Sequence, residues 1–135
     1  MYARRAVYWM ATTIISLAFL SGGLAYLLRI DAPMRGMAEL GYPAYFVALL
    51  GTWKLLGGLA ILAPRLPLLK EWAYAGIVFD LSGASVSHLV MGQPGWHVIV
   101  PLVLLGIAAA SWGLRPASRR VDRPDMLLTE ASGRM

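Results

Sequence analysis

Four long apolar segments, separated by short polar stretches, account for most of the chain. They run roughly over residues 7–28, 44–63, 69–90 and 95–114. Each segment is close to the about 20 residues that an α-helix needs to cross a bilayer. The pattern therefore predicts an all-α protein in which residues 1–115 form a four-helix transmembrane bundle.

The first segment also has features of a secretory signal peptide. Arg4 and Arg5 precede it, and small residues follow at Ser21-Gly22-Gly23. However, its apolar run continues to Leu28, whereas the apolar core of a cleavable signal is about 7–15 residues long. We therefore expect this segment to stay in the protein as a membrane span.

The basic residues predict the orientation of the bundle. With the N-terminus inside, only Arg29 and Arg35 fall outside, and the cytoplasmic side carries Arg4, Arg5, Arg65, Lys70, Arg115, Arg119, Arg120, Arg123 and Arg134. Since Lys and Arg concentrate in cytoplasmic loops, both termini should be cytoplasmic. We expect a multi-pass protein of the inner (plasma) membrane, in contact with the lipid bilayer.

The polar stretches lead to three further expectations. Residues 116–135 are rich in Arg, Pro, Ser and Asp and are predicted to be a disordered basic cytoplasmic tail. The loop from Ile30 to Pro43 either caps the mouth of the bundle or is a solvated connector. Lys70 should lie at the membrane interface, where its side chain is free to extend toward water.

Composition excludes several kinds of function. The chain is 59% hydrophobic and 14% charged, and it contains no cysteine. Disulfides, thiol redox chemistry and cysteine-held iron–sulfur clusters are therefore excluded. The net charge of +5 does not indicate nucleic acid as a partner, because the basic residues lie beside apolar runs.

Two charges interrupt the apolar segments at matching positions. Lys54 lies in the second segment and Asp80 in the third, and Pro67, in the turn between them, is thirteen residues from each. In an antiparallel hairpin folded at that turn, the two charges would meet near the centre of a hydrocarbon core about 30 Å thick. Charge at that depth is costly and marks a candidate functional site.

Helical spacing indicates where these charges point. On the third segment, Asp80 and His88 belong to a stripe with four-residue spacing that also contains Gly76 and Ala84. On the second segment, Lys54 shares a face with Gly51 and Gly58. Because small residues allow helices to approach closely in lipid, both charges should face the bundle interior.

Several roles remain open for this intramembrane polar site of Lys54, Asp80 and His88. The charges form an ion pair that fixes the register of the hairpin, or they bind a polar headgroup, a quinone or a proton, or they do not meet. If a ligand binds, we expect it to pass between the second and third helices from the outer half. Its path would be lined by Tyr45, Trp53, Ser87 and His88.

Two histidines raise the question of a metal or a haem. His88 and His97 lie near the outer ends of the third and fourth segments. A pair of histidines is a weak signal, and we expect neither a metal nor a haem there. His88 is better read as a hydrogen-bonding or titrating group, and no catalytic residue can be assigned.

Five stretches of the chain resemble the DoxX-like family of small bacterial membrane proteins. They are Gly41-Tyr42-Pro43, Gly51 to Gly58, Pro64-Arg65, Leu69 to Gly76, and Phe79 to Ala84 with Ser87-His88. The resemblance implies a four-helix transmembrane bundle. The family takes its name from a membrane subunit of a thiosulfate:quinone oxidoreductase, other relatives are linked to membrane oxidoreductase complexes, and a distant animal relative assists receptor assembly.

Three functions are compatible with these observations. The first is an accessory protein or assembly factor that binds another membrane protein or a second copy of this chain. The second is a quinone- or lipid-binding subunit of a membrane oxidoreductase complex. The third is a small enzyme, an isomerase using Asp80 or His88 for proton transfer on an apolar substrate. The absence of cysteine and of a dinucleotide-binding fingerprint argues against independent redox chemistry, so we favour binding over catalysis.

Overall fold

A computed structural model describes residues 2–121 as five α-helices and one short 3-10 helix. The α-helices are α1 (Tyr2–Leu27), α2 (Asp31–Glu39), α3 (Ala44–Leu62), α4 (Pro67–Val90) and α5 (Gly95–Gly113), and the 3-10 helix is Ala117–Arg119. Four of them, all but α2 and the 3-10 helix, are long and apolar enough to cross a membrane. The predicted all-α architecture with four spans is therefore confirmed.

Two of the spans begin earlier than the apolar pattern predicts. α1 begins at Tyr2 and so includes Arg4 and Arg5, because arginine is a good helix former at an exposed end. α4 begins at Pro67, which occupies the first helical position. Proline fits there because its missing N–H would have no partner inside the helix.

The loop predicted between Ile30 and Pro43 contains the helix α2. Arg29 and Gly41, which flank it, both have positive φ angles, of 53° and 87°. This left-handed backbone conformation lets the chain turn sharply at each end of the helix. Met37 is the buried residue of α2. We call this end of the bundle the α2 end, and the opposite end, which carries the Pro64–Pro67 turn, the tail end.

Glycines bring α1 and α3 into backbone contact. A Cβ atom added to Gly23 would lie 2.7 Å from the carbonyl oxygen of Gly51, and one added to Gly58 would lie 2.9 Å from Cγ of Leu20. In lipid, such close approach is a main source of helix association. α1 also packs on α5, and α5 packs on α4, whereas α3 and α4 pack less extensively although they are neighbours in sequence.

Buried hydroxyl groups join three of the spans. The Ser111 hydroxyl on α5 lies 2.6 Å from that of Thr12 on α1 and 2.6 Å from that of Tyr74 on α4. All three side chains are buried. Hydrogen bonds between transmembrane helices satisfy groups that lipid cannot. These hydrogen bonds hold α1, α4 and α5 together on the tail-end side of the apolar core formed around Ile15, Phe19 and Ile77.

Lys70 does not extend to the interface as expected. Its side chain is completely buried, and Nζ donates to the carbonyl oxygens of Ala60, at 2.7 Å, and of Ala63. These carbonyls belong to the last turn of α3 and its cap, which have no partner within the helix. A cation at a helix C-terminus is stabilised by both the hydrogen bonds and the helix dipole.

The first residues of the predicted disordered tail also cap α3. Nη1 of Arg119 donates to the carbonyl oxygen of Ile61 at 3.2 Å and to the hydroxyl of Tyr8 at 3.4 Å, and its guanidinium lies over the Trp9 ring. These contacts account for the ordered 3-10 helix at Ala117–Arg119. The rest of the predicted tail, residues 122–135, lies outside the described residues.

Candidate functional site

Lys54 and Asp80 form an ion pair between α3 and α4. Nζ of Lys54 lies 3.0 Å from Oδ2 of Asp80, and their side chains retain 15% and 12% of their accessible surface. The predicted contact across the hairpin is therefore present. The register follows from the turn, because α3 ends at Leu62 and α4 begins at Pro67, on either side of a tight connection.

Two aromatic rings of α1 enclose the lysine. Nζ of Lys54 lies 4.6 Å from the centre of the Phe19 ring and 5.6 Å from that of Tyr26. Ring faces attract cations, and more strongly where water is excluded. Phe19 and Tyr26 are seven residues apart, or two helical turns, so they lie on one face of α1. The ammonium group is thus paired with one carboxylate and further stabilised by two neutral rings.

A cleft of about 760 Å³ separates α3 from α4, with the ion pair in its wall. Its lining includes Tyr42 and His88 toward the α2 end and Leu56, Leu69 and Trp72 toward the tail end. Three aromatic side chains of its lining, Trp53, Trp72 and Phe79, remain mostly uncovered by the protein, which in a membrane means that they meet lipid. The volume falls within the range of about 300–1,000 Å³ typical of small-molecule sites.

Three glycines in the lining keep the cleft between α3 and α4 open. Gly57, Gly76 and Gly83 all line the cleft, and a Cβ atom added to any of them would meet no neighbour within 4 Å. They differ in this from Gly23, Gly51 and Gly58, which hold α1 against α3. The small residues that sequence reasoning assigns to close packing therefore fall into two sets, one that packs helices and one that opens a cleft.

The structure brings together some of the predicted lining residues and not others. Trp53 and His88 line the cleft, whereas Tyr45 and Ser87 do not. Tyr45 retains 76% of its surface because it lies on the outward face of α3. The Ser87 hydroxyl is bonded, at 2.6 Å, to the hydroxyl of Tyr42, and Tyr42 lines the cleft instead.

Sequence reasoning missed the contribution of α1 and of Tyr42. The seven-residue spacing of Phe19 and Tyr26 is the signal that could have identified an aromatic face beside a buried cation. For Tyr42, the signal is the turn sequence Gly41-Tyr42-Pro43, which places the phenol at the mouth of the bundle. Neither signal identifies the helix that each residue will contact.

The two histidines lie together at the α2 end. The centres of the His88 and His97 rings are 5.1 Å apart, and Nδ1 of His88 lies 2.5 Å from Oε1 of Gln93. The Trp96 ring stacks on His97. Within residues 2–121, no cluster of three or more His, Cys, Asp or Glu side chains could hold a metal ion. The arrangement presents His88 to the cleft with one ring nitrogen already occupied.

The family comparison agrees with this architecture. A family model described as the DoxX-like family matches residues 10–111, which include the ion pair, the aromatic face of α1 and the whole cleft. No curated protein and no solved structure matches the chain.

Proposed function

Because the chain belongs to the DoxX-like family and is a multi-pass membrane protein, we propose that it binds an amphipathic molecule, a quinone or a lipid, in the cleft between α3 and α4. In this proposal it is an accessory subunit of a membrane complex, with oxidoreductase complexes as the first candidates. The observation that carries the proposal is the position of the Lys54–Asp80 pair in the wall of an otherwise largely apolar cleft.

The energetics of the pair support a binding role. An intramembrane charge costs about 2.5–3.5 kcal/mol for insertion at a helix centre. A pair that served only to set the hairpin register would need no open space beside it. Instead, both side chains keep contact with the cleft, and three glycines keep that cleft open.

The arrangement favours binding over proton-transfer catalysis. Asp80 is paired with Lys54 at 3.0 Å, and His88, whose Nδ1 donates to Gln93, lies eight residues away, about 12 Å along α4. A proton-transfer enzyme needs its acid and base within reach of one reacting group of the substrate, and this spacing does not bring the two side chains together. We therefore rank an isomerase-like enzyme as the second candidate function. The third is an assembly factor, whose partner protein would cover the exposed aromatic side chains.

The proposed orientation places the tail end in the cytoplasm and the α2 end outside, in the inner (plasma) membrane. Lys70, Arg115 and Arg119 cluster at the tail end with Arg4 and Arg120 nearby, whereas Arg29 and Arg35 lie at the α2 end. This asymmetry is the one that the positive-inside rule associates with cytoplasmic loops. The cleft then has its polar groups in the outer half and the middle of the membrane.

Native mass spectrometry of the gently extracted protein tests the proposal. We expect a retained adduct with the mass of a quinone or of a lipid. A protein partner retained in place of a small molecule would support the assembly factor instead. A spectrum of the bare protein alone, after extraction in several mild detergents, would overturn the binding function.

A further inference from the structure

We propose that the cleft selects a neutral, single-chain lipid whose polar end is a hydroxyl group, and that this hydroxyl donates to Asp80. The inference rests on the proposed function, because it names the chemical class of the ligand for the same cleft.

The net charge of the cleft lining limits the charge that a ligand can carry. Among the described residues that line the cleft, Lys54 and Asp80 are the charged pair, and their charges cancel at 3.0 Å. A phosphate or a carboxylate would need an unpaired cation, and an ammonium would need an unpaired carboxylate. Taking a charged headgroup out of water without such a partner is unfavourable. The cleft therefore suits a headgroup without charge.

The Asp80 carboxylate leaves one oxygen atom open to a hydrogen bond from a ligand. Lys54 directs one hydrogen to Asp80 and has Phe19 and Tyr26 on its other sides. Asp80 accepts that bond through Oδ2, and within residues 2–121 its Oδ1 atom accepts no protein hydrogen bond. An ionised carboxylate only accepts hydrogen bonds, so the ligand has to supply the donor.

A hydroxyl group meets this requirement and a carbonyl group does not. A carbonyl oxygen is itself only an acceptor and would face the carboxylate oxygen without a proton between them. A hydroxyl bonded to a carboxylate makes a charge-assisted hydrogen bond, which is stronger than a neutral one. For a redox-active ligand of the quinone type, the same argument favours the reduced form, which carries hydroxyl groups.

The half of the cleft toward the tail end is apolar and suits the chain of a lipid. From the ion pair toward the tail end, the cleft is lined by apolar side chains, among them Leu56, Ala60, Leu69 and Ile77. Asp80 and Trp72 are eight residues apart on α4, which corresponds to about 12 Å along the helix axis. This half of the cleft suits a hydrocarbon chain, and a volume of 760 Å³ for the whole cleft suits one chain rather than a two-chain phospholipid.

A competition experiment tests the headgroup. The protein is placed in phosphatidylcholine nanodiscs with hexadecanol that carries bromine near the middle of its chain, at the level of Trp72 when the hydroxyl is at Asp80. Bromine quenches tryptophan fluorescence by contact. We expect quenching of Trp72, identified by its loss in Trp72→Phe. Unbrominated hexadecanol should displace the probe at a mole fraction about tenfold lower than the mole fraction needed with hexadecanone, hexadecanoate or hexadecyltrimethylammonium. A hydrogen bond to a charged group accounts for an affinity difference of about this size.

Two variants separate the cleft from general partitioning into the bilayer. Gly76→Leu fills the cleft and should abolish the displaceable part of the quenching, whereas Gly106→Leu is the control. A Cβ atom at either position meets no neighbour within 4 Å, but only Gly76 lines the cleft. The double variant Lys54→Met with Asp80→Asn should bind hexadecanol and hexadecanone with similar affinity.

The outcomes distinguish this inference from the proposed function. Displacement by hexadecanone or hexadecanoate at the same mole fraction as hexadecanol, in a protein that retains a native adduct, overturns the hydroxyl selectivity alone. Quenching that Gly76→Leu leaves unchanged, together with no native adduct, overturns the binding function and this inference with it. Preferential displacement by hexadecanol that is lost in the double variant supports both.

Discussion

Nζ of Lys54 on α3 lies 3.0 Å from Oδ2 of Asp80 on α4, although these two helices pack against each other less extensively than α1 packs against α3. The ion pair therefore bridges a gap rather than a close helix interface. It is the polar centre of the cleft, and its exposure to that cleft is the basis of the proposed function.

The ion pair predicts a specific pattern of coupling in a double-mutant cycle. Asp80→Asn leaves the Lys54 ammonium without its carboxylate, and breaking a buried pair costs about 3–5 kcal/mol in soluble proteins. We expect a somewhat smaller loss here, because both side chains keep some access to the cleft. Lys54→Met combined with Asp80→Asn should recover much of that loss in thermal unfolding. Additive effects of the two single substitutions would contradict the coupling.

The two sets of glycines predict opposite responses to alanine. Gly23→Ala should destabilise the bundle by about 1–3 kcal/mol, because its Cβ would lie 2.7 Å from the Gly51 carbonyl oxygen and force α1 away from α3. Gly57→Ala is the matched control in α3, since its Cβ meets no neighbour, and it should be neutral or slightly stabilising. Thermal unfolding in the same detergent measures both. Equal losses for the two variants would mean that the α1–α3 contact is not as close as described.

Lys70 predicts a stability effect at the C-terminal end of α3. Lys70→Met keeps the length of the side chain but removes the donor to the Ala60 and Ala63 carbonyl oxygens. Leaving buried acceptors without partners costs about 1–3 kcal/mol, so the melting temperature should fall. Arg65→Met, at an exposed position in the neighbouring turn, should have little effect. A Lys70→Met protein as stable as the wild type would refute the capping role.

The proposed orientation predicts one-sided chemical labelling. The chain contains no cysteine, so single cysteines can be introduced without a background. A membrane-impermeant maleimide should label Arg35→Cys in intact cells and Ser118→Cys only after permeabilisation. Labelling in the reverse pattern would place the termini outside and would also reverse the proposed direction of the cleft.

The sequence predicted most of the fold because each span is specified locally. Apolar length alone identifies the four spans, and the equal distances of Lys54 and Asp80 from Pro67 predict that they meet. The nine-residue helix α2 was not predicted because the segment is short and contains Pro33 and Gly36, two residue types that form helices poorly. Its positive-φ flanks become visible only in the folded chain.

The cleft was less predictable because it depends on which helices pack together. As a span, α3 is adjacent in sequence to both α1 and α4, and the sequence gives no direct sign that Gly23 and Gly51 pack it more closely against α1 than against α4. That pairing leaves the gap between α3 and α4 and brings Phe19 and Tyr26 beside Lys54. The burial of Lys70 has the same origin, since its acceptors lie at the end of another helix.

The binding of a small amphipathic molecule in the cleft is tested most directly by filling the cleft and counting the adduct. Native mass spectrometry compares the wild type with Gly76→Leu, which adds a side chain inside the cleft, and with Gly106→Leu, which adds the same side chain at an open position elsewhere. We predict that the wild type and Gly106→Leu retain the adduct and that Gly76→Leu loses it while melting at a similar temperature. An adduct retained equally by all three proteins would contradict binding in the cleft.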